Sequence, residues 1–349
     1  MYLHPGIAMV LQIADDTDQM KWDEIVTNSS LGTIFHSWKW LKIVETHTRS
    51  KLIPIIGYSG STPIGILPLF VQKKGFFTMV SSPPPKSALL FLGPVFVGWD
   101  SINQSKRESN YLEFQKEVDE YIKKEIKADY VSISLPPKLL DIRPYFWAGY
   151  KIDVLYDYVT PLHSSLDDLW LSLMKKMRAN ISKSKKLGFS VELGGKPELE
   201  EIYRLMVQRY KDQEKTETVP KNYLSDIFDQ FPENLKIFTV KYQGEIITGQ
   251  IDIQYKNCLI SWIGSPKPNK PISPSPNDLC EWEALVYAHS HGMGEFIVYG
   301  AARNERLHKY YVKINPELHP RFSVKKMSFV AHTMEKAYLK LIKPLRFKS

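Results

Sequence analysis

Two periods of apolar residues alternate along the chain. Helical spacing runs through IFHSWKWLKIVETH (34–47), NYLEFQKEVDEYIKKEIK (110–127), PELEEIYRLMVQRYKDQ (197–213) and PNDLCEWEALVYAHSHG (276–292). Strand-like runs lie between them: KLIPIIGYSGSTPIGILPLFVQ (51–72), FTMVSS (77–82), DYVSISL (129–135), LKIFTVKYQGEIITGQIDIQYK (235–256), CLISWIG (258–264) and EFIVYG (295–300). The order is helices, hairpin, further strand, helix, strand, and it occurs twice. Both hairpins carry Tyr-x-Gly-x4-Gly, as Tyr58, Gly60 and Gly65 and again as Tyr242, Gly244 and Gly249. The first glycine of each suits a turn of positive φ, and the second suits a bulge or a close backbone approach. This order predicts an α+β fold made of two related domains, 1–160 and 161–349, with the boundary near VTPLHSSLDD.

A single helix is expected over 165–187, with Ser165 as N-cap, Asp167 and Asp168 in its first turn and Gly188 just past its end. Leu166, Leu169, Trp170, Leu173, Met177 and Ile181 share one face. The other face carries Lys175, Lys176, Arg178, Lys183, Lys185 and Lys186 with no acid among them, which points to an anionic ligand or to a solvated face. The segment YGAARNERLHKYYVKINP (299–316) follows a strand and adds Arg303, Arg306, His308, Lys309 and Lys313. The loop SPKPNKPISPSPND (265–278) has the composition of a lid or binding loop.

Composition sets bounds around this pattern. The chain has 349 residues, 43% hydrophobic and 24% charged, with a formal charge of +8, which permits a phosphate-bearing partner without requiring one. Two cysteines, Cys258 and Cys280, make a disulfide framework unexpected. No basic leader precedes a long apolar run, and no apolar stretch approaches the ~18 residues of a membrane span, so a cytoplasmic protein is expected. Walker, dinucleotide-binding, zinc-protease and nucleophile-elbow motifs are all missing. The nine histidines lack metal-ligand spacing, and no metal site is expected. What remains is chemistry by positioning, charge stabilisation and a proton relay.

At this point MRANISKSKKLGFSVE resembles the basic helix of the FemA/FemB/FemX transferases of the GNAT superfamily, R-x-x-I-x-K-x-x-K-x-G followed by a strand. WIGS with LCEWEALVYAHSHGMGEFIVYGA, then HKYY, resembles their aromatic strand, helix, strand and aromatic-Lys pair, and FHSWKWLKIV resembles their opening motif. The resemblance implies two tandem GNAT-like domains and an acyltransferase. The donor would be aminoacyl-tRNA or acyl-CoA, with no tightly bound cofactor, and the acceptor an amine of a phosphate-bearing cell-envelope precursor. It also implies that Arg178 and Lys183 contact substrate phosphates, that Lys309 stabilises charge near the donor, and that Trp262 and Ser265 line the acceptor cleft. This chain departs from the family in three ways. The second aromatic-Gly pair after HKYY is lost, there is no coiled-coil insertion, and the R/Q-x-x-G-x-G/A pyrophosphate loop is missing from both halves.

The residues themselves suggest aminolysis of an ester or thioester. Tyr299, Tyr310, Tyr311 or His308 could relay the proton, though tyrosines after a strand also pack in cores. Glu281 is the candidate for orienting a substrate ammonium, with Asp252 a further one and Glu283 a helix-surface acid. Arg303 would grip an anion. The alternative is a non-catalytic tandem-GNAT protein binding nucleic acid or an anionic envelope precursor.

Overall fold

The computed structural model describes residues 9–212, 214, 219–264, 272–328 and 331–333. The chain forms two units, 1–154 with 321–349, and 155–320.

The first unit begins with β1 (Met9–Ile13), α1 (Gln19–Asn28) and α2 (Trp38–Thr48). The hairpin β2 (Lys51–Ser59) and β3 (Thr62–Lys74) follows, then β4 (Phe77–Ser82) and the short β5 (Val95–Phe96). Helix α3 (Gln104–Tyr121) crosses from β4 to β6 (Tyr130–Ser134), which runs parallel to β4. A crossover helix is what a parallel pair requires, since a tight turn can join only antiparallel strands. Short α4 (Arg143–Trp147) ends this part. The core is aromatic: Phe96 packs against Tyr111, Trp99 and Phe114 with centroid separations of 4.9, 5.2 and 5.4 Å.

The second unit repeats the plan. It takes the end of β7 (Lys151–Pro161), then α5 (Leu166–Ser172), α6 (Lys175–Lys186), β8 (Ser190–Gly194), α7 (Lys196–Asp212) and α8 (Lys221–Gln230). The hairpin β9 (Leu235–Tyr242) and β10 (Glu245–Tyr255) and strand β11 (Cys258–Ile263) complete the meander. Helix α9 (Pro276–Ser290) crosses to β12 (Glu295–Val298), which is parallel to β11. Then come α10 (Glu305–Tyr311) and β13 (Glu317–Met327).

The repeat is closed by strands that have changed places. By sequence order β7 follows β6 and β13 follows β12. Yet Tyr158–Pro161 of β7 pairs with β12, and Ser323–Met327 of β13 pairs with β6. Hence the division falls after Val154 rather than at 160, and the chain from Arg321 returns to the first unit instead of staying in the second. Arg321 anchors that return: it is buried, bonds the Leu90 carbonyl through Nη1 at 3.0 Å and lies over the Phe91 ring.

Both hairpin glycine pairs fit their expected roles. Gly60 and Gly244 have φ of 62° and 83°. A Cβ on Gly65 would come within 2.8 Å of Phe96, and one on Gly249 within 2.4 Å of the Phe238 carbonyl. The expected helix 165–187 is instead two helices, α5 and α6. Leu173 and Met174 are extended between them, and the Met174 N–H donates to the Lys313 carbonyl at 2.9 Å. This tertiary bond takes a group that an unbroken helix would use internally. Leu169, Leu173, Met177 and Ile181 still bury one stripe. The Ser165 cap and Gly188, with φ of 82°, are where the sequence places them.

Candidate active site

Alternation along β10 creates the site. Gly249 faces Ile202 of α7, so residues of the opposite parity face α9, where Gln254 accepts from the Tyr287 hydroxyl at 3.0 Å. Gln250 and Asp252 share that parity and are fully buried, an unusual use of a central strand. Gln250 Nε2 donates to Asp252 Oδ2 at 2.8 Å, while Asp252 Oδ1 has no hydrogen-bond partner among the described residues. Burial pushes the Asp252 carboxyl up to about 8, only partly opposed by Gln250.

Glu281 on α9 is near enough to this carboxyl for the two charges to be felt. It is 1% exposed, and its Oε1 also lacks a partner. Burial, then the neighbouring Asp252 and Asp278, push its carboxyl well above the usual range, against the pull of Lys313. Two buried acids that feel each other's charge cannot both ionise cheaply. Asp278 has its partners: Asn180 Nδ2 donates to Oδ2 at 2.7 Å and Lys313 Nζ to Oδ1 at 3.1 Å. The basic helix α6 and the segment after α10 are therefore tied together at one buried carboxylate.

Hydroxyls complete the cluster. The Tyr310 hydroxyl is buried without a hydrogen-bond partner, and Lys313 lies over its ring at 4.6 Å. Tyr311 stacks edge-on against Tyr310 at 5.0 Å and bonds Ser261 on β11. Burial, then Glu281, push both phenols up. Cys280 is buried and its thiol is pushed up, first by burial and then by Asp252 and Glu281, which makes it packing material rather than a nucleophile.

The other expected residues are distributed around this core. Arg178 is half-buried and Lys183 exposed, both on α6. Lys185 of that helix pairs with Glu283 of α9 at 2.8 Å, so the basic face is not wholly unpaired. Trp262, near the end of β11, and Tyr299, just past β12, are half-buried. Asp157 accepts from the Gly300 N–H at 2.7 Å and fixes the turn there. Arg303 lies in the 3-10 turn Ala301–Arg303. His308 Nδ1 and the Tyr158 hydroxyl share a hydrogen bond on the exposed side of α10. Lys309 is 71% exposed and pairs with Glu305. Of the loop 265–278 expected as a lid, residues 265–271, Ser265 among them, lie outside the described residues, and its last three residues begin α9.

The structure thus joins Glu281, Asp252, Tyr310 and Tyr311, and it sets Lys309 and His308 apart on the exposed face of α10. Reading the sequence passed over Asp278. An acid near a helix start after Pro276 looks like an ordinary partner of the helix dipole, and no local signal marks it as buried.

Residues 172–304 match the Acetyltransferase (GNAT) domain family. FemX has a similar structure, with 13% identity, coverage of 95% of this chain and 99% of FemX, and a TM-score of 0.67. The C-terminal domain of a putative lysylphosphatidylglycerol synthetase from Agrobacterium fabrum is similar over 93% of this chain and 98% of its own, at 12% identity and TM-score 0.58. A tandem GNAT protein from the clavulanic acid biosynthesis pathway is similar over 91% of this chain and 98% of its own, at 10% identity and TM-score 0.52. At these identities the structural likeness bears on the fold. No curated protein matches the sequence. No helix among the described residues is long and apolar enough to cross a membrane.

Proposed function

We propose that this chain, whose residues 172–304 match a GNAT acetyltransferase domain and whose fold is like that of FemX, is an N-acyltransferase. Its buried Asp252–Glu281 pair receives the proton of the attacking amine. The observation that carries this reading is three buried oxygens without a hydrogen-bond partner among the described residues, Asp252 Oδ1, Glu281 Oε1 and the Tyr310 hydroxyl, close enough for the Glu281 charge to act on Tyr310.

The acceptor amine forms the new C–N bond at the acyl carbonyl, and the carbonyl electron pair moves to oxygen. The ammonium proton passes through the Tyr310 or Tyr311 hydroxyl to the carboxylate pair. Collapse of the intermediate breaks the bond to the leaving thiolate or alkoxide, which takes that proton back from the pair and leaves it as it began. A proton acceptor with a pKa near the working pH suits this role. Lys313 occupies Asp278 and holds it in place, so that this acid does not compete for the proton.

The donor we favour is an acyl-CoA, the other candidate being aminoacyl-tRNA. The acceptor is an amine on a phosphate-bearing envelope precursor, and the reaction belongs in the cytoplasm. Support for the anionic substrate comes from Arg178 and Lys183 on α6. Support for the envelope comes from the neighbour whose name specifies lysylated phosphatidylglycerol. Lys309 and Arg303 would grip the same substrate from α10 and the turn before it. Trp262 and Ser265 would line the acceptor side, with Tyr299 beside them and His308 as a second proton carrier.

The test is transfer from labelled acyl-CoA or aminoacyl-tRNA to amine-bearing phospholipid or nucleotide-linked sugar. Glu281→Gln and Tyr310→Phe are expected to cut turnover by about 10²–10⁴-fold with acceptor binding retained. Full turnover in both folded variants, or no transfer from either donor, overturns the reading.

A further inference from the structure

The first unit has a cavity of its own. The second half of α3, with α4, β6 and the end of β13, lines an open-sided cavity of about 590 Å³, a volume that suits a small molecule. Its walls are largely apolar, with Leu112, Ile122, Val131, Pro144, Trp147 and Met327 among them. Trp147 is 63% exposed at the wall of the cavity, with the Arg143 guanidinium over its ring at 5.9 Å.

The polar groups of the cavity are short of donors. Gln115 lines it, is 1% exposed, and gives its Nε2 hydrogen to Asp119 Oδ1 at 2.8 Å. The Tyr150 hydroxyl donates to the same oxygen at 2.7 Å. Gln115 Oε1 is buried with no hydrogen-bond partner among the described residues. Asp119 Oδ2 has Lys326 at 3.9 Å, the outer limit of an ion pair, and that ammonium lies over the Tyr150 ring instead. An orphaned carbonyl beside a loosely paired carboxylate is a place for an N–H cation. Lys116, Lys123 and Glu120 also line the cavity; Glu120 is paired with Lys124 at 2.8 Å, so the two exposed lysines leave an excess of positive charge that favours a negative group at the ligand's outer end.

We infer that this cavity binds a small zwitterion of the aromatic amino-acid type. Its ammonium would donate to Gln115 Oε1 and Asp119, its ring would lie along Trp147, and its carboxylate would face Lys116 and Lys123. The site lies wholly in the first unit and does not depend on the acyl-transfer chemistry of the second.

Calorimetric titration of the full chain with L-phenylalanine, phenethylamine and 3-phenylpropionate tests each part. L-phenylalanine is expected to bind most tightly, phenethylamine about tenfold more weakly, and 3-phenylpropionate not measurably. Trp147→Ala, a surface change that should leave folding intact, is expected to weaken L-phenylalanine about tenfold. Gln115→Met, where it folds, should do the same. The inference fails if none of the three binds the folded protein, if the acid binds as well as the amino acid, or if Trp147→Ala has no effect.

Discussion

Asp252 is the side chain on which the proposed proton transfer in the second unit turns. Its carboxyl is lifted from 3.8 to about 8 because burial removes the water that would solvate its charge. The folded chain therefore keeps a proton that the unfolded chain has already lost. From about pH 4 to pH 8 the unfolded state gains relative stability as pH rises, at roughly 1.4 kcal/mol per pH unit. Asp252→Asn should flatten the fall of melting temperature over that range and leave the protein more stable than the parent at pH 8. Calorimetry across the range checks this, and an unchanged slope would mean that the acid is not held protonated. Turnover should climb with pH towards 8 in the parent and lose that limb in Asp252→Asn. Part of this was legible in the sequence: Asp252 stood out as an acid in a strand beside Gly249, and Glu281 as an acid near a Pro-rich loop. That the two act on one another was not legible, because it depends on how α9 lies over β10. Lys309 drew attention as half of an aromatic-Lys pair, yet Lys313, one helical turn on, is the lysine that reaches the cluster.

Among the elements, the two hairpins were the most legible, because a turn glycine and a close-approach glycine leave local marks. Gly249 is the sharper case. A methyl group there would sit 2.4 Å from the Phe238 carbonyl and 2.7 Å from Ile202 Cδ1, and the backbone atom cannot move aside. Gly249→Ala should cost about 2–3 kcal/mol in a denaturant titration, against less than about 0.5 kcal/mol for Gly264→Ala, whose Cβ meets nothing within 4 Å. Equal stabilities would contradict the packing of α7 on β10. The break between α5 and α6 left no mark in the sequence. Both helices bury one continuous stripe, and the interruption is set by a bond to the Lys313 carbonyl, more than a hundred residues away in sequence.

At the scale of the molecule, the repeat in the sequence announced two related units, but not how the chain is apportioned between them. Which strand closes which sheet depends on strand pairing at long range, and β7 and β13 carry no local label. The pairing makes fragment behaviour predictable. Residues 155–320 hold every strand of the second unit and should fold alone with a cooperative melt. Residues 1–154 leave β6 with an open edge and lack buried Arg321, so they should aggregate. Joining 1–154 to 321–349 through a short flexible linker should restore a folded first unit. A soluble, cooperatively melting 1–154 fragment would contradict the assignment of β13.

The late return of Arg321 also bears on synthesis. At translation rates of 5–20 residues per second, the ribosome needs roughly 10–30 s to make the inserted stretch before the closing strand emerges. The half of the protein that is made first must therefore be finished last. Nascent chains stalled near residue 300 should carry an unfinished amino-terminal half that is open to chaperone capture and protease attack.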